Sequence, residues 1–318
     1  MKAIGGYFEW ELGHSNEFHP RAIKLNSGRN ALEYILKAKK FKKVYLPLFS
    51  CEALLQPIQT CGIAYEYYSI NEHFEIAINI ASIASDEALL YTNFFGLKDK
   101  YIISLASTCP TLIVDNAQAF YAYPVPGADT FYSARKFFGV PDGAYLYTNV
   151  TLPYPLQRDV SFDRCRHLLR RVDQDGESGY SDFRKHEALM NELPLRGMSQ
   201  LTAQILNGLP YHSSAERRKE NLRYLHNALQ HINLLRAEIS DDQVLLDYPL
   251  LTRQSNLRDK LISKKIFVPQ YWPGVQSRAD KNSVEYEYSK IIHLPIDHRY
   301  DQQDMEYIIN IINDEYKR

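Results

Sequence analysis

Residues 129–149 read DTFYSARKFFGVPDGAYLYTN and combine two short strand patterns with a lysine between them. The patterns predict strands at 128–133 and 143–149, separated by turn residues that end at Gly143. Lys136 follows the first strand and is flanked by aromatic residues. Partly apolar surroundings would lower the pKa of its amine and make it a nucleophile. The segment is equally consistent with a surface lysine whose stem covers the aromatic rings.

Further strand and helix patterns alternate through the first half of the chain. The predicted strands are 43–48, 63–70, 88–95 and 111–116, and the predicted helices are 51–61 and 97–107. Nearly continuous apolar strands that alternate with helices are typical of a parallel sheet covered on both faces. The sequence therefore predicts an α/β fold with a mostly parallel sheet.

The second half of the chain has a different character. Helical patterns run through 161–189, 199–208 and 213–235, and a mixed region follows with strands at 243–251, 266–269 and 290–296 and helices near 254–264 and 301–315. We expect a large domain with an N-terminal arm at 1–209. A small α+β C-terminal domain is expected at 210–318.

The composition argues against several classes of protein. Charged residues make up 24% of the 318 residues and the net charge is −1, so no basic surface for nucleic acid or acidic membranes is expected. The four cysteines are too scattered for a disulfide framework or a zinc knuckle, and no metal site is predicted. The chain shows no signal-peptide pattern and no run of 18 apolar residues, which favours the cytoplasm.

The segment 25–40 reads LNSGRNALEYILKAKK and predicts a capped helix. Ser27 is a good N-cap residue, and Gly28 allows another group to approach the backbone closely. A turn of small residues that leads into a helix N-terminus is also a suitable anion site. Taken alone, the segment is explained more simply as a capped helix without a ligand.

The segment 112–120 reads LIVDNAQAF and places Asp115 at the end of an apolar strand. Open α/β sheets bind their ligands at the carboxyl ends of the strands. A carboxylate is costly to bury there unless it meets a cation or several donors. For this residue alone, a helix cap is the simpler interpretation.

Taken together, these segments resemble the DegT/DnrJ/StrS sugar-aminotransferase family, whose members are pyridoxal-phosphate enzymes of fold type I. NSGRNAL is similar to the family's phosphate loop, VDNAQAF to its Asp-x-Ala-His/Gln motif, and SARKFFGVPDGAYL to its Schiff-base segment. LPLFSCEALLQPI and LPIDHRY resemble two further family segments. The resemblance is strong over residues 20–150 and weak over the remainder.

The resemblance implies a role for each matching residue. Lys136 would bind pyridoxal 5'-phosphate as a Schiff base and move a proton during the reaction. Asp115 would bind the pyridine nitrogen and keep it protonated, and Gln118 would lie near the phenolic oxygen. The phosphate would be bound by Ser27, Gly28, Arg29 and Ser133.

The sequence departs from the family pattern at three places. Phe131 stands where the family has a serine, five residues before the lysine. The usual Gly-Glu-Gly-Gly run is replaced by residues 141–144, PDGA. The position of the aromatic residue that stacks on the cofactor is occupied by Cys51, with Phe49 as a displaced alternative. These departures leave the substrate open.

The resemblance implies an aminotransferase that moves an amino group from an amino acid, with glutamate as one candidate, to a keto sugar that is linked to a nucleotide. A homodimer is implied as well, because this fold builds its active site at the subunit interface. Two alternatives stay open at this point. One is a relative without catalytic activity that acts in regulation or assembly, and the other is a pyridoxal-phosphate sugar dehydratase or eliminase.

Overall fold

The computed structural model describes residues 4–240 and 242–317. A seven-stranded sheet organises the first half of the chain. Its strands are β1 (Ile23–Leu25), β2 (Lys43–Pro47), β3 (Ala64–Tyr68), β4 (Glu87–Thr92), β5 (Leu112–Asn116), β6 (Asp129–Ser133) and β7 (Ala144–Tyr147). In space they are ordered β1-β7-β6-β5-β4-β2-β3.

The central strands of this sheet are parallel, as the sequence predicts. Each neighbouring pair from β3 to β6 runs in the same direction. At the other edge, β7 is antiparallel to β6, and β1 is antiparallel to β7. The connection that contains Lys136 and Gly143 reverses the chain between β6 and β7. Strand β1 was not predicted, because three residues are too few to show an alternating pattern.

Helices cover the sheet and continue into the second half of the chain. They are α1 (Gly28–Lys39), α2 (Leu55–Thr60), α3 (Asp99–Thr108), α4 (Arg166–Asp173), α5 (Tyr180–Leu189), α6 (Gln200–Asn207), α7 (Tyr211–Leu229), α8 (Leu257–Ser263), α9 (Val275–Arg278), α10 (Val284–Tyr288) and α11 (Gln302–Tyr316). The helical pattern predicted at 161–189 is two helices, interrupted between α4 and α5 by a segment with Gly176 and Gly179.

A second, two-stranded sheet lies in the later part of the chain. Strands β8 (Tyr248–Leu250) and β9 (Ile292–Leu294) pair antiparallel to each other. The strand predicted at 266–269 is wrong, because this segment has no strand partner and forms irregular structure. Its apolar residues Ile266 and Val268 are nevertheless buried in the core.

The large sheet separates two apolar layers. In β4, Ala88 and Leu90 face the layer that contains α1, whereas Leu89 and Tyr91 face the layer that contains α7 and α11. This alternation is the period of two that a strand buried on both faces requires. The sheet is thereby held between helices on both sides, and the carboxyl ends of its parallel strands are fixed relative to one another. None of the described helices combines the length and apolar character needed to cross a membrane.

Candidate active site

A cavity of about 280 Å³ opens at the carboxyl ends of β4, β5 and β6. The residues that the sequence singled out all line it, namely Ser27, Gly28, Arg29, Asp115, Gln118, Ser133 and Lys136. They come from separate segments, and they meet because parallel strands end at the same edge of the sheet. The cavity also contains residues that the sequence did not indicate, among them Thr92, Tyr271 and Glu187.

The N-terminus of α1 forms one wall of the cavity. Ser27 is the N-cap, and its Oγ accepts a hydrogen bond from the Asn30 amide at 3.2 Å. The amides of the first turn have no carbonyl partner within a helix, so they can bind an anion. A Cβ atom at Gly28 would lie 3.8 Å from the Phe131 ring and 3.9 Å from Ser133 Cβ. Both are ordinary van der Waals distances, and Gly28 itself lines the cavity.

Asp115 is the fourth residue of β5 and is buried. One of its carboxylate oxygens accepts a hydrogen bond from the Ala117 amide at 2.9 Å. Burial raises the pKa of Asp115 to about 6, although this hydrogen bond and the positive charge of Lys136 oppose the rise. A buried carboxylate with so little compensation is stabilised by a cationic ligand group.

Thr92 is the last residue of β4 and pairs in register with Asp115 on β5. Its side chain is buried, and Oγ1 has no hydrogen-bond partner among the described residues. A buried hydroxyl without a partner is unfavourable, so a polar ligand atom beside it would stabilise the site. The sequence feature that could have indicated Thr92 as a site residue is its position at the end of the apolar run ALLYT.

Gln118 lies in the turn that follows β5 and lines the cavity. Its Oε1 accepts a hydrogen bond from the Phe95 amide at 3.2 Å. Phe95 has a φ of 58°, in the left-handed region that non-glycine residues seldom occupy. The Gln118 side chain is thus held by a strained turn at the end of the neighbouring strand.

Lys136 ends a 3-10 turn that follows β6 and is exposed into the cavity. The expectation that its aromatic sequence neighbours surround it is largely wrong. The turn rotates Phe137 and Phe138 away, into a separate aromatic cluster with Phe120. The Lys136 Nζ lies instead 6.0 Å from the centroid of the Tyr271 ring.

Tyr271 and Trp272 bring an aromatic wall from the later part of the chain. The Tyr271 hydroxyl donates a hydrogen bond to Asp247 at 2.8 Å. The other oxygen of Asp247 lies 2.8 Å from the Nδ1 atom of buried His293. These contacts fix the Tyr271 ring beside Lys136. Sequence reasoning missed both aromatics, although PQYWPG (269–274) sets them between two prolines.

The position expected to carry a stacking aromatic has a different environment. Cys51 lines the cavity, as its place in the sequence suggests. Phe49 does not line the cavity; its ring is buried against Phe94, Trp272 and neighbouring rings. The aromatic residues that do line the cavity are Phe131, Phe183, Tyr271 and Trp272.

The altered loop after Lys136 has a structural role. Asp142 is fully buried and accepts hydrogen bonds from the Ser199 amide at 2.9 Å, from the Ser199 hydroxyl at 2.8 Å and from the Thr202 hydroxyl. It therefore holds Ser199, which is the N-cap of α6, in place. Gly143 has a φ of 117°, and a Cβ there would lie 2.9 Å from a Thr202 methyl carbon, so no larger residue fits.

The residues present fit the cofactor that the sequence resemblance implies. The N-terminus of α1, the buried Asp115 carboxylate and the Thr92 hydroxyl, which has no hydrogen-bond partner among the described residues, all face one cavity. Gly28, the first residue of α1, lines the cavity as well. Among the described residues, no group of three or more His, Cys, Asp or Glu side chains could hold a metal ion.

Solved structures with a similar fold are sugar aminotransferases and other aminotransferases. CalS13 from Micromonospora echinospora, a sugar aminotransferase, aligns with a TM-score of 0.61 and 17% identity over 93% of this chain and 88% of its own. The ntda protein of Bacillus subtilis, solved with bound cofactor PMP, aligns with a TM-score of 0.63 and 17% identity over 95% of this chain and 74% of its own. A DegT DnrJ EryC1 StrS aminotransferase from Brucella abortus aligns with a TM-score of 0.59 and 16% identity over 92% of this chain and 85% of its own.

No protein-family model and no curated protein matches the sequence. At this level of identity the structural similarity establishes the fold and not the activity. The predicted fold class is confirmed, because the parallel sheet and its helices superpose on pyridoxal-phosphate aminotransferases of fold type I. The chain has the fold of these aminotransferases.

Proposed function

We propose that this chain is a pyridoxal-phosphate aminotransferase that transfers an amino group from an amino acid to a keto sugar. The observation that carries the proposal is the convergence of Lys136, Asp115 and the α1 N-terminus on one cavity. The fold supports it, since CalS13 is described as a sugar aminotransferase and the Bacillus subtilis protein holds PMP.

The cavity offers a partner for each polar part of the cofactor. Ser27, Gly28 and Arg29 would bind the phosphate at the α1 N-terminus, with Ser133 beside them. Asp115 would bind the ring nitrogen and keep it protonated, because a buried carboxylate stabilises a cation beside it. Gln118 would lie near the phenolic oxygen. When bound, the cofactor supplies an electron-withdrawing ring that makes the neighbouring carbon acidic.

Lys136 is the residue to which we assign the proton transfers. Its Nζ is exposed into the cavity and can reach a ligand there, unlike a lysine held in a surface ion pair. In the first half-reaction, Nζ would accept the proton from the donor's α-carbon and return it one position away. The second half-reaction on the keto sugar runs the same transfers in reverse.

The remaining features of the proposal follow from the sequence resemblance. Glutamate is one candidate donor, and the sugar would be linked to a nucleotide. The protein would act in the cytoplasm as a homodimer, with a large domain at 1–209 and a small domain at 210–318. The chemistry assigned to Lys136 and Asp115 depends neither on the identity of the donor nor on a nucleotide link to the sugar.

The test is the absorbance spectrum of the purified protein with added pyridoxal phosphate. The wild type should show a new visible band, and borohydride should fix the cofactor to the peptide that contains Lys136, as detected by mass spectrometry. Lys136→Ala should show neither, whereas Lys100→Ala, which removes an exposed lysine, should behave as the wild type. An unchanged wild-type spectrum under saturating cofactor would leave a scaffold without this chemistry and refute the proposal.

A second measurement separates transamination from elimination or dehydration. An amino donor added without any acceptor should convert the cofactor to pyridoxamine phosphate, which can be released and identified by chromatography. An eliminase would leave the cofactor in its starting form. Donor amino acids can be compared in the same assay.

A further inference from the structure

Arg218 of helix α7 is a cation in the interior of the protein and is only 1% exposed. Burial lowers the pKa of Arg218, and the negative charge of Asp297 offsets this effect only in part. Within the described part of the chain, its hydrogen bonds go to main-chain carbonyls and not to carboxylates. A buried cation without a directly paired anion costs free energy. This cost indicates a task for Arg218 other than stabilising the fold.

One part of the guanidinium group contacts Phe137, the residue that follows Lys136. The Arg218 Cζ lies 4.7 Å from the centroid of the Phe137 ring, and Nη2 donates a hydrogen bond to the Phe137 carbonyl at 3.5 Å. The Phe137 amide closes the 3-10 turn that carries Lys136, because it donates to the Ala134 carbonyl at 3.0 Å. Arg218 therefore holds both the ring and the backbone of the residue that ends this turn.

Another part of the group binds the segment that leads to Asp247. Nη1 of Arg218 donates hydrogen bonds to the carbonyls of Leu245 at 3.2 Å and Leu246 at 3.0 Å. Asp247 follows directly and accepts the hydrogen bond of the Tyr271 hydroxyl at 2.8 Å. The Tyr271 ring is the one whose centroid lies 6.0 Å from the Lys136 Nζ. Arg218 thus binds the backbone next to Lys136 and also the backbone next to the residue that holds Tyr271.

His293 supports Asp247 from a second direction. Its Nδ1 atom lies 2.8 Å from an Asp247 oxygen, and its ring centroid lies 4.2 Å from that of Tyr271. Asp247 is itself buried. A shift of the segment that Arg218 binds would therefore carry Asp247 with it and displace the Tyr271 ring.

We propose that Arg218 is a positioning residue that fixes Lys136 and the Tyr271 ring relative to each other in the cavity. The planar fork of an arginine suits this task, because it can donate in two directions and lie against a ring at the same time. The inference rests on the proposed function, since a fixed amine matters when it must meet one carbon of an oriented ligand. A misplacement of about 1 Å can slow such a step about a hundred-fold.

The first experiment follows the attachment of pyridoxal phosphate to Lys136 by stopped-flow absorbance at several cofactor concentrations. Arg218→Met should lower the limiting rate at least about ten-fold, because the amine is displaced. The half-saturating concentration should stay within two-fold of the wild type, since Arg218 does not line the cavity. Arg218→Lys, which keeps the charge and loses the fork, should restore only part of the rate.

Arg164→Met is the matched control. Arg164 is also a buried arginine whose Nε has no partner among the described residues, but it pairs with Asp159 and does not line the cavity. This variant should attach the cofactor at the wild-type rate. Equal slowing in both variants would show a general effect of losing a buried arginine and overturn the proposal. An Arg218→Met protein that is less stable in urea but attaches the cofactor at the wild-type rate would overturn it too.

The second experiment needs no cofactor. The chain has two tryptophans, so Trp272, the neighbour of Tyr271, can be observed alone in a Trp10→Phe background. Trp272 is buried, and Arg218→Met should raise the acrylamide quenching of its fluorescence at least about two-fold, whereas Arg164→Met should not. Unchanged quenching would overturn the proposal. A wild type that attaches no cofactor would refute the proposed function and leave this measurement to decide whether Arg218 fixes the aromatic wall, so the two failures are distinguishable.

Discussion

Thr92 and Asp115 are register partners on adjacent parallel strands, and both side chains line the same cavity. The hydroxyl of Thr92 has no partner among the described residues, and the carboxylate of Asp115 is buried with a raised pKa. Each group costs free energy in the ligand-free protein. A ligand that meets both would recover this free energy as affinity.

Thr92→Val should raise the stability of the cofactor-free protein and lower its affinity for the cofactor. The variant keeps the shape of the side chain and removes a buried, unpaired hydroxyl, so the free energy of unfolding should rise by about 1 kcal/mol without cofactor. Affinity for pyridoxal phosphate should fall. Thr130→Val is the matched control, since the Thr130 hydroxyl on β6 is also buried and unpaired but does not line the cavity. Equal cofactor affinity in the two variants would contradict the assignment of Thr92 to the site.

Asp115→Asn should change how stability depends on pH. An acid whose folded pKa is raised from 3.8 to about 6 destabilises the folded state once it ionises, so stability is lost as the pH rises through this range. At pH 7.5 the cofactor-free variant should be about 2–3 kcal/mol more stable than the wild type, and at pH 5 the difference should be about 1 kcal/mol smaller.

The measurement is urea unfolding of both proteins at the two pH values. Asp280→Asn, in an exposed loop, is the control for the removal of one carboxylate. A stability difference between Asp115→Asn and the wild type that stays constant from pH 5 to pH 7.5 would be inconsistent with a raised pKa at Asp115.

Asp142→Ala should be among the more destabilising substitutions near the cavity. It leaves the donors of Ser199 and Thr202 without their buried acceptor, and the expected loss is about 2–4 kcal/mol of unfolding free energy. Asp280→Ala should change stability by less than about 1 kcal/mol. Thermal or urea unfolding measures both. An Asp142→Ala protein as stable as the wild type would mean that α6 does not depend on the hydrogen bonds to Asp142.

Tyr271→Phe and Tyr271→Ala should differ in what they affect. The phenylalanine variant removes the hydrogen bond to Asp247 and should cost about 1–3 kcal/mol of stability while keeping the ring beside Lys136. The alanine variant also removes the aromatic wall and should weaken cofactor binding at least ten-fold more than Tyr271→Phe does. Tyr123→Phe, at a highly exposed position, serves as the control. Cofactor titration by absorbance and urea unfolding give the two readouts.

Much of the fold could be predicted from the sequence, because local patterns determine it. All strands of the large sheet except β1 are apolar runs in the sequence. Residues at the carboxyl ends of neighbouring parallel strands lie at the same edge of the sheet. Asp115 and Lys136 could therefore be singled out from the sequence itself and Gln118 from the family resemblance, although the roles of all three stay predictions. The segment at 266–269 was assigned wrongly because an apolar run can be buried without a pairing strand.

The rest of the site depends on contacts between distant parts of the chain. Glu187 reaches the cavity only because α5 folds over it, and Tyr271 only because Asp247 and His293 hold its ring. Neither residue has a local pattern that marks it. The surroundings of Lys136 were misjudged for a similar reason, since a single 3-10 turn decided which neighbouring rings face the amine.

The position of Tyr271 and Trp272 in the sequence has a consequence for how the protein matures in the cell. The first five segments of the cavity wall, which end at Lys136, are synthesised well before these two aromatics. Domains generally fold from the N-terminus onward during synthesis, so a nascent chain can form the large sheet while its cavity still lacks a wall. Tight cofactor loading should therefore follow the synthesis of Trp272, and a growing chain would pass through an interval in which Lys136 is accessible to other aldehydes.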